Sequence, residues 1–387
     1  MSTQHSSIQN ISSMKRTFWT VVIIYLLIAF EFFYMASPFA IYFYSIYGPG
    51  LNFINNNSVL AWLSSMFLPH IVVETSSFLL NLHNEFGAVL AIIGFLAFCI
   101  GAGQVYYYKI FRKGVVMDGI YNFIRHPQYL SLAICSFGLL LLWPRYIVLL
   151  SFIAMIFVYY FLAKVEENEC EGKFGKSYIE YKNRTGMFLP FRISLMDKLP
   201  NLPKLRPKRY LMIITLYIVT SIVAISLANG LKSWSLSSLY ALYSKDAVYI
   251  SITKVDKKIL DHIVKIALTN PEVETRLRSK SEGGSTKFIN YVLPDGLYVS
   301  EIPMNPVEGV EGHHFLSTNY KKDSYKIIFT KAEVRTDQGV TGKEILLNTV
   351  KRIPILEVRI DLSQNRVAEI KNPPANIKYE NIPVPLY

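Results

Sequence analysis

Four side chains with the chemistry to bind a small charged molecule stand beside two apolar runs of this sequence. Arg125 and His126 precede one run, and Glu166 and Glu167 follow another. An arginine and a histidine can bind a carboxylate, whereas two glutamates can bind an amine or hydroxyl groups. If the fold brings the four together, they suit a zwitterionic, cationic ligand better than a plain anion.

Pro127 indicates how the basic pair is presented. A proline suits the first turn of a helix, because its missing N–H would have had no partner there, and residues 129–143 then supply an apolar helix. Arg125 and His126 are therefore predicted at a helix N-terminus, whose N–H groups and partial positive charge favour a carboxylate or phosphate. A positive flank that holds a membrane helix in register explains an isolated Arg-His-Pro as well.

A tight turn predicts that the basic and acidic pairs meet. Trp143-Pro144-Arg145 joins an apolar arm over residues 130–143 to another over residues 146–163. Arms joined by so short a turn must be antiparallel neighbours, so residues 109–129 and residues from 164 onward emerge on one face. Both segments are basic, which predicts a cytosolic face with the two acids opposite the arginine and the histidine. An exposed helix face accounts for the other glutamates there, Glu169, Glu171 and Glu180.

The composition is that of a membrane protein. Hydrophobic residues make up 51% of the chain, aromatic residues make up 14%, and the mean hydropathy is +0.28. The net charge of +12 lies mostly in loops between apolar runs, so it is explained by the positive-inside rule and nucleic acid is not predicted as a partner. No metal is predicted, because suitable spacing is missing between the cysteines and between the nearby acids and histidines, namely Cys99, Cys135, Cys170, His70, Glu74, His83 and Glu85.

The apolar runs predict an all-α polytopic membrane helical core over residues 1–230. About five spans are expected, with cytosolic loops at 109–128 and 164–209. Residues 59–80 are interrupted by Pro69, and whether they cross the membrane stays open. The predicted spans are 18–47, 86–108, the two hairpin arms, and 210–228.

Residues 231–387 predict a small soluble α+β domain outside the membrane, on the non-cytosolic side. The patterns indicate a turn at Pro294-Asp295-Gly296, and His313-His314 fits an exposed loop better than a metal site. Recognition of an acceptor, a protein partner and self-association are all open as roles. The clearest elements are a strand at 247–253, a helix at 257–268, and strands at 325–334 and 353–362.

Four ordered pieces of the sequence resemble the isoprenylcysteine carboxyl methyltransferase and phospholipid N-methyltransferase superfamily of integral-membrane enzymes. The resemblance covers residues 86–195, and its last two pieces look closest to the isoprenylcysteine branch. One departure is that Gln104 stands soon after the first piece, where family members often carry a basic residue. The pieces are Gly101-Ala102-Gly103, Gly119-Ile120-Tyr121 with Arg125-His126-Pro127-Gln128-Tyr129, Glu166-Glu167, and Phe174-Gly175 followed by Tyr178, Tyr181 and Pro190.

The resemblance implies a methyltransferase that uses S-adenosylmethionine and acts on a membrane lipid or another lipophilic or small membrane-permeable acceptor. Methyl transfer by in-line displacement needs positioning and exclusion of water, so neither a nucleophilic side chain nor a metal is expected. Arg125 and Glu167 are implied as catalytic residues, with Arg125 orienting an anionic group. The implied donor-binding residues are Gly101, Gly103, Tyr121, His126, Tyr129, Glu166, Glu167 and Tyr178.

Two other functions compete with this interpretation. One is a non-catalytic membrane anchor or receptor that presents the C-terminal domain to a protein partner. A membrane NADPH-dependent reductase is the other alternative, because Arg-His-Pro-x-Tyr is also reminiscent of membrane sterol reductases. The expected location is a bacterial inner membrane, with the endoplasmic reticulum as the alternative, because the C-terminal part lacks a eukaryotic retention signal.

Overall fold

A computed structural model describes residues 59–190, 206–280, 286–307, 314–316, 321–335 and 339–374, together with residues 22, 54 and 57. The predicted span at 18–47 therefore lies outside the described residues, except for residue 22. The chain separates into two compact units. The first contains Val89–Gly138 and Ser151–Tyr217, and the second contains Ser45–Ala88, Leu139–Leu150 and Ile218–Tyr387. The predicted domain boundary near residue 230 stays a prediction.

The helices follow the apolar runs and the helix-start signals of the sequence. Pro127 begins α3, and Asn270 caps α8 by accepting hydrogen bonds from two backbone N–H groups of its first turn. The helices are α1 (Phe78–Asn81), α2 (His83–Ile110), α3 (Pro127–Leu142), α4 (Tyr146–Phe174), α5 (Lys176–Arg184), α6 (Arg206–Ser237), α7 (Lys257–Leu268), α8 (Pro271–Ser279) and α9 (Lys343–Asn348).

Three of these helices are long and apolar enough to cross a membrane, which indicates an integral membrane protein. They are His83–Ile110, Tyr146–Phe174 and Pro207–Ser237. The expectation of about five spans is not confirmed. Helix α3 has 16 residues, so it is about 24 Å long against a hydrocarbon core of about 30 Å. Residues 59–80 form a short 3₁₀ helix at Ala61–Ser64 and part of α1, rather than a spanning helix.

Within the first unit, Gly94 allows helices α2 and α3 to pack closely. A Cβ atom at this position would lie 2.4 Å from the backbone nitrogen of Cys135 and 2.7 Å from the carbonyl oxygen of Ser131. Any side chain would therefore force the two helix backbones apart. Gly94 is thus a small residue at a close contact between two apolar helices, as is usual where helices pack in a membrane.

The second unit contains a six-stranded sheet in the order β1-β2-β3-β6-β7-β8, in which only β2 and β3 pair in parallel. This supports the α+β prediction, and α7 has the predicted bounds. The turn at residues 294–296 joins β3 to β4, but β4 pairs with β5. The strands are β1 (Ala241–Tyr243), β2 (Ala247–Ser251), β3 (Lys287–Pro294), β4 (Leu297–Val299), β5 (His314–Leu316), β6 (Ser324–Val334), β7 (Thr349–Asp361) and β8 (Arg366–Lys371).

The core of the second unit includes residues far away in the sequence. Ile71 and Val72 are buried in the same apolar cluster as Ile250 of β2 and Tyr291 of β3. The backbone N–H groups of Val73 and Glu74 donate to the carbonyl oxygen of Ile252, over 2.9 and 3.1 Å. This apolar cluster therefore depends on a segment that precedes α2.

Candidate functional site

Arg125 and Glu167 form the buried centre of a polar cluster in the first unit. The Glu167 side chain is 0% exposed, and its Oε1 accepts a hydrogen bond from Arg125 Nε over 2.7 Å. Arg125 Nη1 also donates to the carbonyl oxygens of Lys182, over 2.9 Å, and Thr185. The guanidinium thus ties the start of α3 to α4 and to the chain at the end of α5.

His126 lies between the two glutamates of α4. Its Nδ1 is 3.4 Å from Glu166 Oε2 and its Nε2 is 3.6 Å from Glu167 Oε1. Both ring nitrogens are buried, and neither makes a well-directed hydrogen bond with the described residues. Burial opposes a charge on the imidazole, but the interactions with Glu166 and Glu167 outweigh it and raise the pKa of His126. The site therefore favours an imidazolium.

Glu166 is the carboxylate of the pair that reaches the surface of the cluster, with 35% of its side chain exposed. Its Oε1 accepts a hydrogen bond from the hydroxyl group of Tyr129. The Tyr129 ring stacks on Tyr159, with 4.8 Å between ring centroids, and lies 5.7 Å from the ring of His126. The stack holds the hydroxyl in place, so Glu166 has a fixed partner on one side.

Tyr121 connects the loop before α3 to two helices. Its hydroxyl group donates to Gln128 Oε1 over 2.8 Å and lies 3.3 Å from the carbonyl oxygen of Gly101. Tyr181 of α5 donates to the main-chain oxygen of Tyr121 over 2.7 Å. Burial raises the pKa of Tyr121, so the phenol remains a donor at neutral pH. Tyr178 lies buried beside Tyr181, with 5.7 Å between ring centroids.

The two glycines of the predicted Gly-x-Gly piece have different surroundings. A Cβ atom at Gly101 would make ordinary contacts of 3.7 to 3.9 Å with Gln128. At Gly103, which is exposed, a Cβ atom would meet none of the described atoms within 4 Å. Packing among the described residues therefore gives no reason for a glycine at 103, and its role in binding the donor stays a prediction.

The main chain after α5 covers the start of α3. The backbone N–H groups of Arg125 and His126 donate to the carbonyl oxygens of Gly186 and Met187 over 3.0 and 3.1 Å. The sequence predicted that an anion would bind at this helix N-terminus. In the structure, protein carbonyl groups accept hydrogen bonds from these two backbone N–H groups instead. Recognition of an anion here therefore falls to the side chains.

Two comparisons with known proteins concern this part of the chain. The phospholipid methyltransferase family matches residues 85–177. Protein-S-isoprenylcysteine O-methyltransferase of Saccharomyces cerevisiae is 30% identical over 139 residues, which cover 33% of this chain and 58% of the yeast protein. Residues 85–177 thus resemble the phospholipid methyltransferase family. This confirms the resemblance to that superfamily. No solved structure matches the chain at comparable significance.

The segment that matches the methyltransferase family coincides with the polar cluster. Of the predicted site residues, all except Tyr178 lie within residues 85–177, and Tyr178 follows directly. The structure brings Arg125, His126 and Tyr129 together with Glu166 and Glu167. The chain spans little more than half of the yeast relative, so its activity is a proposal.

Three polar residues of the cluster were missed by sequence reasoning. Lys182 contacts Glu167, Gln128 accepts from Tyr121, and Thr185 accepts from Arg125. The first two stand inside the quoted motif pieces or directly beside them, which is the available signal. The carbonyl group of Thr185 carries no such signal, because every residue type has one.

Proposed function

We propose that this protein is an integral-membrane methyltransferase that transfers a methyl group from S-adenosylmethionine to a lipophilic or small membrane-permeable acceptor. One observation carries the proposal. Within the methyltransferase segment, a partly exposed carboxylate, Glu166, lies 3.4 Å from a buried histidine, His126, whose pKa is raised. A negative group and a positive group are thus available side by side.

The residues present fit such a donor. When bound, S-adenosylmethionine supplies an electrophilic methyl group on a sulfonium, together with an ammonium and a carboxylate. Glu166 can accept hydrogen bonds from the ammonium or from hydroxyl groups, and the positive charge of an imidazolium at His126 would attract the carboxylate. The open side of Gly103 would admit a ligand close to the backbone of α2.

The buried residues have a different task from Glu166. Arg125 and Glu167 are joined to each other and to the chain after α5, so they hold the site in one geometry. Tyr129 fixes one oxygen of Glu166. Methyl transfer to an acceptor held in line depends on orientation and on exclusion of water, which rigid packing supplies.

The setting of the site supports a lipophilic acceptor. The segment is built on apolar helices, two of which are long enough to span a membrane, so an acceptor can arrive through the lipid. The yeast relative is named for O-methylation of a protein-bound isoprenylcysteine. A lipophilic carboxylate is therefore the first class to test here.

The test is calorimetric titration of S-adenosylmethionine into the purified protein in lipid nanodiscs, with reduced nicotinamide dinucleotide as the comparison. We expect saturable donor binding and a loss of affinity of about tenfold or more in Glu166→Gln, equivalent to about 1.4 kcal/mol. Glu169→Gln is the matched control, because Glu169 lies one turn further on α4 with 62% of its side chain exposed. Absence of donor binding to the folded wild-type protein would overturn the proposal, and binding of the nicotinamide instead would favour a reductase.

A further inference from the structure

Lys182 joins three parts of the polar cluster, although sequence reasoning gave it no role. Its Nζ lies 3.1 Å from Glu167 Oε2 and contacts Glu171 one turn further along α4. Its main-chain oxygen accepts a hydrogen bond from Arg125 Nη1 over 2.9 Å. Side chain and backbone of one residue on α5 therefore hold both members of the Arg125–Glu167 pair.

The Glu167 carboxylate needs this second cation. Removing a carboxylate from water costs several kcal/mol unless opposite charge and hydrogen bonds compensate. Arg125 donates a hydrogen bond to Oε1 of Glu167, but Oε2 accepts no well-directed hydrogen bond from the described residues. Lys182 is the nearer cation to Oε2, because Lys164 lies 3.8 Å away with 45% of its side chain exposed.

Lys182 remains charged in this position. Burial lowers the pKa of its ammonium group, but the hydrogen bond to Glu171 and the interaction with Glu167 outweigh this effect and raise the pKa. The ammonium therefore neutralises Glu167 over the physiological pH range. Only 30% of the Lys182 side chain is exposed, so solvent screens this pair less than a surface pair.

Replacement of Lys182 should affect His126, because both residues interact with Glu167. The imidazole faces Glu166 and Glu167 from α4, Tyr129 from its own helix, and the ring of Phe188, whose centroid is 6.0 Å away. With Lys182 absent, Glu167 would attract the imidazolium more strongly and draw it from Glu166. The exposed carboxylate would then lose the cation beside it.

We infer that Lys182 is a positioning residue of the donor site: it neutralises the buried Glu167, so that Glu166 and His126 remain the pair that meets the donor. This inference rests on the proposed function, because it assigns the residue to the same site. Lys182 itself acts through Glu167 and Arg125 rather than through contact with the donor.

The experiment compares Lys182→Met and Lys182→Arg with the wild-type protein in nanodiscs. Lys173→Met is the matched control, because Lys173 pairs with Glu169 on the exposed side of the same region, with 69% of its side chain exposed. Three quantities are measured, namely the affinity for S-adenosylmethionine, the unfolding temperature, and the titration of the His126 ring by nuclear magnetic resonance. The last needs no donor, so it tests the inference even if the proposed function fails.

We expect Lys182→Met to bind the donor about tenfold more weakly, about 1.4 kcal/mol, while Lys182→Arg recovers most of the affinity. Removing the positive charge should raise the His126 pKa by on the order of one pH unit in Lys182→Met. Lys173→Met should resemble the wild-type protein in all three measurements.

Two results would overturn the inference. An unchanged His126 titration in folded Lys182→Met would mean that Lys182 does not influence the pair. A lower unfolding temperature with unchanged donor affinity would mean that Lys182 contributes to stability alone. Failure of the wild-type protein to bind the donor would count against the proposed function, and the His126 titration would still decide whether Lys182 controls the cluster.

Discussion

Arg125 Nε and Glu167 Oε1 lie 2.7 Å apart, and the carboxylate that accepts this hydrogen bond is completely buried. The pair joins α3 to α4 across 42 residues of sequence. Glu167, which the sequence suggested as a contact for a ligand, is therefore also a structural anchor. Its catalytic role stays a prediction.

Glu167→Ala should destabilise the first unit by about 3–5 kcal/mol, because it leaves Arg125 buried without its carboxylate. The measurement is the unfolding transition in detergent, followed by circular dichroism. Glu169→Ala should change the stability by less than about 0.5 kcal/mol, since Glu169 is exposed. Equal effects of the two substitutions would contradict the anchoring role.

Gly94→Ala should lower the stability of the protein, whereas Gly103→Ala should raise it. A methyl group at 94 meets the backbone of α3 and should cost about 1–3 kcal/mol. At 103 a methyl group meets none of the described atoms within 4 Å, so the better helix propensity of alanine should add up to about 1 kcal/mol of stability. Unfolding transitions of both variants test the packing. Titration of Gly103→Ala with S-adenosylmethionine tests whether a ligand approaches there, in which case binding weakens although stability does not.

The contribution of His126 to stability should fall as the pH rises. Its pKa is raised in the folded protein, so its contribution is complete below the pKa of an unfolded histidine, about 6.5, and is lost as the pH passes the higher folded value. Unfolding temperatures of the wild-type protein and His126→Gln, compared from about pH 5.5 to about pH 9, should converge at the alkaline end. A difference that widens with pH would show that the histidine is stabilising in its neutral form.

Ile71→Ala should destabilise the second unit by about 2–5 kcal/mol, because the Ile71 side chain is fully buried in its core. Val73→Ala is the control, since Val73 is two residues away with 39% of its surface exposed. Proteolysis of the region after residue 240 reports the effect. If both variants resist protease as the wild-type protein does, the segment around Ile71 is dispensable for the core.

Much of the local structure could be predicted from the sequence. Pro127 starts α3 because a proline leaves no hydrogen bond unmade at the first position of a helix. Helix α7 follows from apolar residues at helical spacing, and Asp256 caps its N-terminus. Span counting was less successful, because α3 is apolar throughout yet has only 16 residues. An apolar pattern identifies a helix that avoids water, but the end of the helix depends on tertiary contacts.

Burial separates neighbouring residues that look equivalent in the sequence. Glu166 and Glu167 have the same chemistry, but successive residues of a helix point about 100° apart, so only Glu167 faces Arg125 and Lys182. The same reasoning applies to Gly94 and Gly103, of which one meets a helix backbone and the other meets none of the described atoms. Composition and spacing cannot assign such differences, because they depend on the direction of each side chain.

The sequence by itself determined the apolar helices, the α+β character of the C-terminal part and the ordered motif that links residues 85–177 to the methyltransferase family. These depend on local patterns, which are present in the chain before it folds. Only the tertiary structure decided that Lys182 joins Glu167 and that Ile71 completes the core of the second unit. Both contacts join residues far apart in the chain, and their energy comes from burial, which exists only after packing.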